Sequence, residues 1–295
     1  VLFLMAFTLD SRQIIYSFRA PQPVLWASAI NLGLLPLFAW GLMSIQLFPD
    51  FAIGLMIAGS VPCTLAAASV WTRKGKGNDA VSLLVTLLTN SLCFVITPFW
   101  LALGTRASQI ALPTDELTAN LFWFVLVPTM AAQLVRLIPF CRELATRRKI
   151  FIGAMAQLLI LSLVFASACQ GGRRLDSLEA GPGLPAVALV WGCCLAIHLA
   201  GLIISYAGGK LWGFRIEDRV ATAIAGSQKT LPIGIFLATD PTLFGEKFPF
   251  AVFPMLMFHC TQLFVDTAIA DRFSAWVTQA ESTRAADSNT ATAAH

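Results

Sequence analysis

Most of what this chain offers to chemistry lies in seven residues, Gly226-Ser227-Gln228-Lys229-Thr230-Leu231-Pro232. Two hydroxyls, an amide and an ammonium stand there in an otherwise apolar run. Hydroxyl and carbonyl oxygens suit a hard cation. The ammonium suits an anion, or the place of a cation. A second run, Gly59-Ser60-Val61-Pro62-Cys63-Thr64, shares the Gly and Pro and sits in an uncharged stretch. Proline removes a backbone donor and breaks a helix, which frees carbonyls. Ser82, Thr86 and Asn90 are spaced i, i+4, i+8 and share one helix face. That face could ligate a cation or hydrogen-bond a neighbouring backbone; the spacing allows both. Asn31 stands in an apolar run before Pro36. A lone Pro62 is as readily a plain kink, and a Gln or Ser is often glue between helices. Lys229 is different: about ten residues separate it from Arg219 and Asp240, too far for its head to reach the membrane surface. An ammonium at that depth points to function.

The elements that position these residues follow from composition. Of 295 residues, 57% are hydrophobic and 12% charged, against about 25% charged in an ordinary soluble domain. Mean hydropathy is +0.74. A soluble globule, a disordered chain, a disulfide scaffold and a nucleic-acid binder are excluded. Charge-free gaps run over 20–49, 51–72, 80–105, 117–135, 150–172, 180–209 and 248–265, and 220–239 holds Lys229 alone. A membrane helix needs about 20 apolar residues, so eight spans are expected. Val1 to Leu9 reads as a fragment of a further helix. Arg284 to His295 reads as a disordered tail. The seven cysteines read as small apolar packers, and the three histidines show no metal-ligand spacing.

Numbering the loops alternately from Asp10–Arg19, fourteen of the twenty Lys and Arg fall in one set and four in the other. The remaining two are Arg136, expected to snorkel at a helix end, and Lys229. The basic side, with the C-terminus, is expected in the cytoplasm of a plasma or inner membrane.

Four segments resemble motifs of the bile acid:sodium symporter family, in order along the chain. Leu2 to Asp10 resembles its "GLTL" segment. Ile30 to Pro36, with Ala39-Trp40, resembles its "QFxxMP" span. Val61 to Thr72 and then Gly77-Asn78 resembles the broken helix "CPGGxxSNxxT…GN". Gly226-Ser227-Gln228-Lys229 falls at "ExGxQN". The match is closer to the divergent branch that includes the seventh vertebrate member. The resemblance implies an all-α integral membrane protein of ten helices in two inverted five-helix repeats, with two broken, crossing helices. Eight full spans plus a fragment are present here. The implied division is a first repeat at 1–104, truncated at its N-terminus, a connecting loop at 105–116, a second repeat at 117–271 and a disordered cytoplasmic tail at 272–295.

The resemblance also implies sites. Ser82, Thr86 and Gln228 match family sodium ligands, and Asn31 takes the place of a further Gln. The family's Ser-Asn pair falls near Ala67 and Ala68, with Ser69 adjacent. Its shared Glu falls at Ile224, and its Asn after the Gln is Lys229. Pro62, Thr64, Ser227 and Thr230 complete the expected cation and substrate site. The acidic ligand is therefore absent, and a positive charge stands where two cations bind. Unit charges about 4 Å apart repel by roughly 4 kcal/mol at an effective dielectric of 20. The expected function is secondary transport of a small organic anion by alternating access, with sodium or, through Lys229, protons as the coupling ion. No cofactor is expected other than a sodium ion, if sodium is the coupling ion; oligomeric state is open. The competing class is a non-transporting membrane regulator, which a dry, filled crossing would favour. An intramembrane enzyme fits poorly, because His259 and Cys260 are adjacent and point about 100° apart on a helix.

Overall fold

The computed structural model describes residues 1–9, 21–65, 67–107, 113–175, 181–245 and 247–293. All regular structure among them is helical. In chain order the helices are α1 Leu2–Phe7, α2 Pro21–Met43, α3 Pro49–Ser60, α4 Ala67–Lys74, α5 Asp79–Ala107, α6 Thr114–Val135, α7 Pro139–Arg147, α8 Lys149–Leu175, α9 Leu184–Leu211, α10 Ile216–Ser227, α11 Leu231–Thr239 and α12 Val252–Ala293. Six of them, α2, α5, α6, α8, α9 and α12, are long and apolar enough to cross a membrane. The other two stretches, 51–72 without charge and 220–239 with Lys229 alone, form broken pairs, α3 with α4 and α10 with α11. Each of the eight expected spans therefore has a helical counterpart.

Prolines mark many of the helix starts. Pro49, Pro139, Pro185 and Pro232 occupy first-turn positions, where the missing N–H has no partner to lose. Two further prolines reshape helices from within. Before Pro36 and Pro128, α2 and α6 widen into single π-turns, Ile30–Leu34 and Phe122–Leu126. Such a bulge absorbs the clash and the lost hydrogen bond.

Burial sorts the helices into two groups. In α3, every residue from Phe51 to Ser60 except Ala52 is buried, and in α10 so is every residue from Val220 to Ser227. A helix apolar all round belongs in the interior. Around this pair pack α2, α5, α9 and α12. The second group is α1, α6, α7 and α8, with α1 against α6 and α8. The groups meet where α5 packs on α6 and α8 on α11. Outward-facing Trp123, Phe151, Leu161 and Phe165 are more than half exposed, an apolar surface suited to lipid.

Several expectations change. Arg136 does not snorkel: it is buried and donates to Phe7 O at 2.8 Å, while Gln133 donates to Ala6 O at 2.6 Å. Together they satisfy carbonyls at the end of α1. The tail expected to be disordered from 272 continues α12 as far as Ala293. Its alanines favour a helix, and Arg284 reaches back to Glu217 at 2.8 Å. The Asp10–Arg19 loop, including Arg12 and Arg19, lies outside the described residues, as do residues 108–112 of the 105–116 connection.

Basic residues from separate loops gather at one end. Lys74 pairs with Asp271 at 3.1 Å, Lys76 donates to Thr278, and Asn78 bonds Glu217 O and Asp218. Arg73 and Lys149 line one cavity there of about 290 Å³.

Candidate functional site

The two breaks cross at the centre of the first group. One unwound segment spans Val61 to Leu65 and the other Gln228 to Thr230. A backbone bond joins them, with Thr230 N–H donating to Pro62 O at 2.9 Å. The two segments are built alike. Cys63 N–H donates to Thr89 Oγ1 at 3.3 Å, and Cys63 O accepts from Asn90 Nδ2 at 2.8 Å. Lys229 N–H donates to Gln262 Oε1 at 2.9 Å, and Lys229 O accepts from Gln262 Nε2 at 3.0 Å. In each case the following long helix, α5 or α12, clamps both backbone groups of one residue in the break.

A helix that stops in the interior leaves its last carbonyls without donors. Asn31 answers most of them for α10: its Nδ2 lies 3.3, 3.2 and 2.8 Å from Ala225 O, Gly226 O and Gln228 O. The π-turn of α2 exposes a carbonyl in return. Leu35 N–H bonds Ile30 O; the next carbonyl, Asn31, would wait for residue 36, a proline with no N–H. The Lys229 ammonium takes it, at 2.6 Å, together with Val61 O at 2.8 Å and Asn31 Oδ1 at 3.4 Å. The lysine is fully buried. It meets three neutral oxygens from both breaks' surroundings, a coordination a small cation would also accept.

The remaining expected residues divide. Thr86 Oγ1 donates to Thr64 O at 3.3 Å and lies 3.7 Å from Cys63 Sγ. Asn90 also donates to Thr86 O; of the Ser82–Thr86–Asn90 face, Thr86 and Asn90 reach the first break, at Thr64 O and Cys63 O. Ser82 Oγ and Thr230 Oγ1 are buried with no hydrogen-bond partner among the described residues. Ser227 Oγ bonds its own helix at Ile224 O. Ser69 lies apart from the crossing, on α4, where it donates to Asp79 and accepts from Arg73. Ile224 is buried among Leu202, Val220, Phe273 and Val277, so apolar packing fills the position of the family Glu.

Three buried groups were not foreseen as site residues. Gln262 clamps Lys229, as above. Asp266 lies on α12. It is fully buried and accepts from Gln228 Nε2 at 2.5 Å. His198 Nε2 lies 3.1 Å from Asp266 Oδ1, and its Nδ1 3.3 Å from Ser227 O. His259, Gln262 and Asp266 are spaced i, i+3, i+7 on α12, a one-face pattern. That spacing was the only sequence signal for them.

Long apolar helices enclosing two interrupted ones, crossed at a polar centre, define an all-α membrane transporter. The match to known proteins gives the same class. Residues 1–275 match the SBF-like CPA transporter family, and the chain belongs to it. It is 24% identical over 234 residues to sodium/bile acid cotransporter 7 of Danio rerio, covering 78% of this chain and 67% of that protein. It is 23% identical over 255 residues to the Xenopus tropicalis protein of that name, covering 86% and 70%. It is 28% identical over 251 residues to the probable sodium/metabolite cotransporter BASS4 of Arabidopsis thaliana, covering 81% and 56%. The chain thus spans about two thirds of the length of its vertebrate relatives. These relatives are named as cotransporters, a family of transport and not of catalysis.

Proposed function

We propose that this protein is a secondary transporter of a small organic anion in which the Lys229 ammonium replaces a bound cation. The observation that carries this is its seat at the crossing, on Asn31 O, Val61 O and Asn31 Oδ1. An ammonium at depth favours an anionic partner and disfavours a second cation close by. The relatives' printed names support coupling to sodium. Ser82, Thr86 and Gln228 are the residues that would hold it, with protons as the alternative driver. The like construction of the two breaks supports two inverted repeats, and the collected basic end supports a cytoplasmic placement of that end and of the C-terminus. An apolar cavity of about 300 Å³, lined by Phe124, Pro128, Leu163, Pro232 and Phe236, spans the boundary between the helix groups. It would accept the solute's apolar body. Alternating access then moves the crossing group against α1 and α6 to α8.

The test is uptake of a panel of organic anions into proteoliposomes, under a sodium gradient and separately under a proton gradient, with Lys229→Asn beside the parent. The proposal expects uptake in the parent and a changed ion dependence in the variant. Unchanged uptake and pH dependence in Lys229→Asn would sink the lysine's role. One observation favours the regulator instead: Gln228 and Lys229 are wholly buried, as a filled crossing would be. Absence of uptake under both gradients shifts weight to it.

A further inference from the structure

We infer that His198 and Asp266 form a proton-binding site that loads the crossing for an anion. The argument begins at a carbonyl. The helix ends at Ser227, so Ser227 O has no following helical N–H to accept. The His198 ring faces it with Nδ1 at 3.3 Å, and faces Asp266 Oδ1 with Nε2 at 3.1 Å. A carbonyl oxygen only accepts, so Nδ1 carries a hydrogen. A neutral imidazole then has a bare lone pair on Nε2. Set against a carboxylate oxygen, that lone pair would make a repulsive contact between two wholly buried groups. The contact is attractive only with a second proton between Nε2 and Oδ1. Whether it sits on the ring or on the carboxyl, the pair then has no net charge. Losing that proton leaves the pair with one negative charge, next to Gln228, whose Nε2 already bonds Asp266 Oδ2.

The surrounding charges give the site its consequence. Lys229 follows Gln228 directly. From α12 the titratable neighbour is His259, whose Nδ1 lies 2.9 Å from Gln262 Nε2; Asp271 and Arg272, more than a turn beyond Asp266, are exposed, with Asp271 paired to Lys74 at 3.1 Å. From the other break it is Cys63, whose Sγ lies 3.7 Å from Thr86 Oγ1. The helix α2 brings no charged residue. Asp50 of α3 is committed to Phe250 N–H. Along α9 and α10, Lys210 and Arg219 stand two or more turns away, with Arg219 over the Tyr206 ring. Glu217 and Asp218 lie beyond Arg219, at the start of α10. Asp266 is thus the one nearby carboxylate that can balance Lys229 among the described residues. With the proton bound, Lys229 is the uncompensated charge of the crossing, and an anion is favoured. With the proton gone, Asp266 balances Lys229 and the anion is released. Proton and anion therefore move together. This coupling rests on the transport reading above; the proton site itself does not.

Nitrogen-15 histidine spectra of the full chain in lipid test the site without reference to transport. His259 accepts at Nδ1 from Gln262, so its hydrogen sits on Nε2, and the rings of His198 and His259 are distinguishable by tautomer. His198→Gln confirms the assignment. The expected result is a His198 ring hydrogenated at Nδ1 that loses a second, shared proton as pH rises, a transition absent in Asp266→Asn. A His198 ring bare at Nδ1, or unchanged across the pH range, overturns the site. In proteoliposomes, a proton gradient should stimulate anion uptake by the parent, with that stimulation lost in Asp266→Asn. Stimulation that persists in Asp266→Asn overturns the coupling. If the parent takes up nothing under any gradient, the transport reading falls and the coupling with it, while the spectra still decide the proton site.

Discussion

Asn31 meets three carbonyls with one amide and offers its own carbonyl and Oδ1 to Lys229. Asn31→Leu would strip the end of α10 of that donor while keeping a similar volume. A buried acceptor left bare costs about 1–3 kcal/mol, so the variant should lose about that much in thermal unfolding of the solubilised protein. Thr230 and Ser82 argue the other way. Their hydroxyls are buried without partners among the described residues, so Thr230→Val and Ser82→Ala remove atoms that stabilise little. Their unfolding should shift by less than about 0.5 kcal/mol, while uptake falls if the hydroxyls serve an ion or solute. A loss of stability as large as that of Asn31→Leu would show them to be structural.

At the scale of elements, the two breaks depend on close packing as much as on proline. A Cβ at Gly54 would come within 2.2 Å of Ala251 O and 2.7 Å of Pro254. One neighbour is backbone and the other a rigid ring, so α3 and α12 would have to part. At Gly234 the clash is with the Met255 side chain, at 2.3 Å from its sulfur, and methionine can rotate aside. Gly54→Ala should therefore lower the unfolding midpoint well beyond Gly234→Ala, measured in one detergent. The tail of α12 carries a pH dependence. Burial raises the Glu217 carboxyl, but its backbone hydrogen bond, Arg284 and Arg215 together outweigh that and lower it below its ordinary value. A lowered carboxyl stabilises above its unfolded value and is lost as pH falls through the folded one. The Arg284–Glu217 tie should hold at neutral pH and release only in acid below the usual carboxylate range. Amide exchange in the last turns of α12 should accelerate there, and at neutral pH in Glu217→Gln.

For the whole molecule, the spans were legible because charge is costly in hydrocarbon, and the breaks because Gly and Pro interrupt apolar runs. The His198–Asp266 pair was not, since 68 residues separate its members. Asp266 also ends a charge-free gap and so looked interfacial. Yet α12 runs for 42 residues, far longer than a bilayer requires, and Asp266 is wholly buried among the helices. Nor could the sequence show that two groups of helices meet where α5 packs on α6 and α8 on α11, with Phe124 of α6 against Phe236 of α11. That boundary yields the last prediction. If the crossing group moves as a body, a link across the boundary should stop transport and a link within the group should not. Leu163 on α8 and Phe236 on α11 line the same boundary cavity. Lys74 and Asp271 touch at 3.1 Å inside the crossing group. In a background freed of the seven cysteines, a Cys pair at 163 and 236 joined by a short bifunctional thiol reagent should abolish uptake. The pair at 74 and 271, joined likewise, should leave uptake largely intact. Equal inhibition by both links would mean that motion within the crossing group, and not between the groups, opens the site.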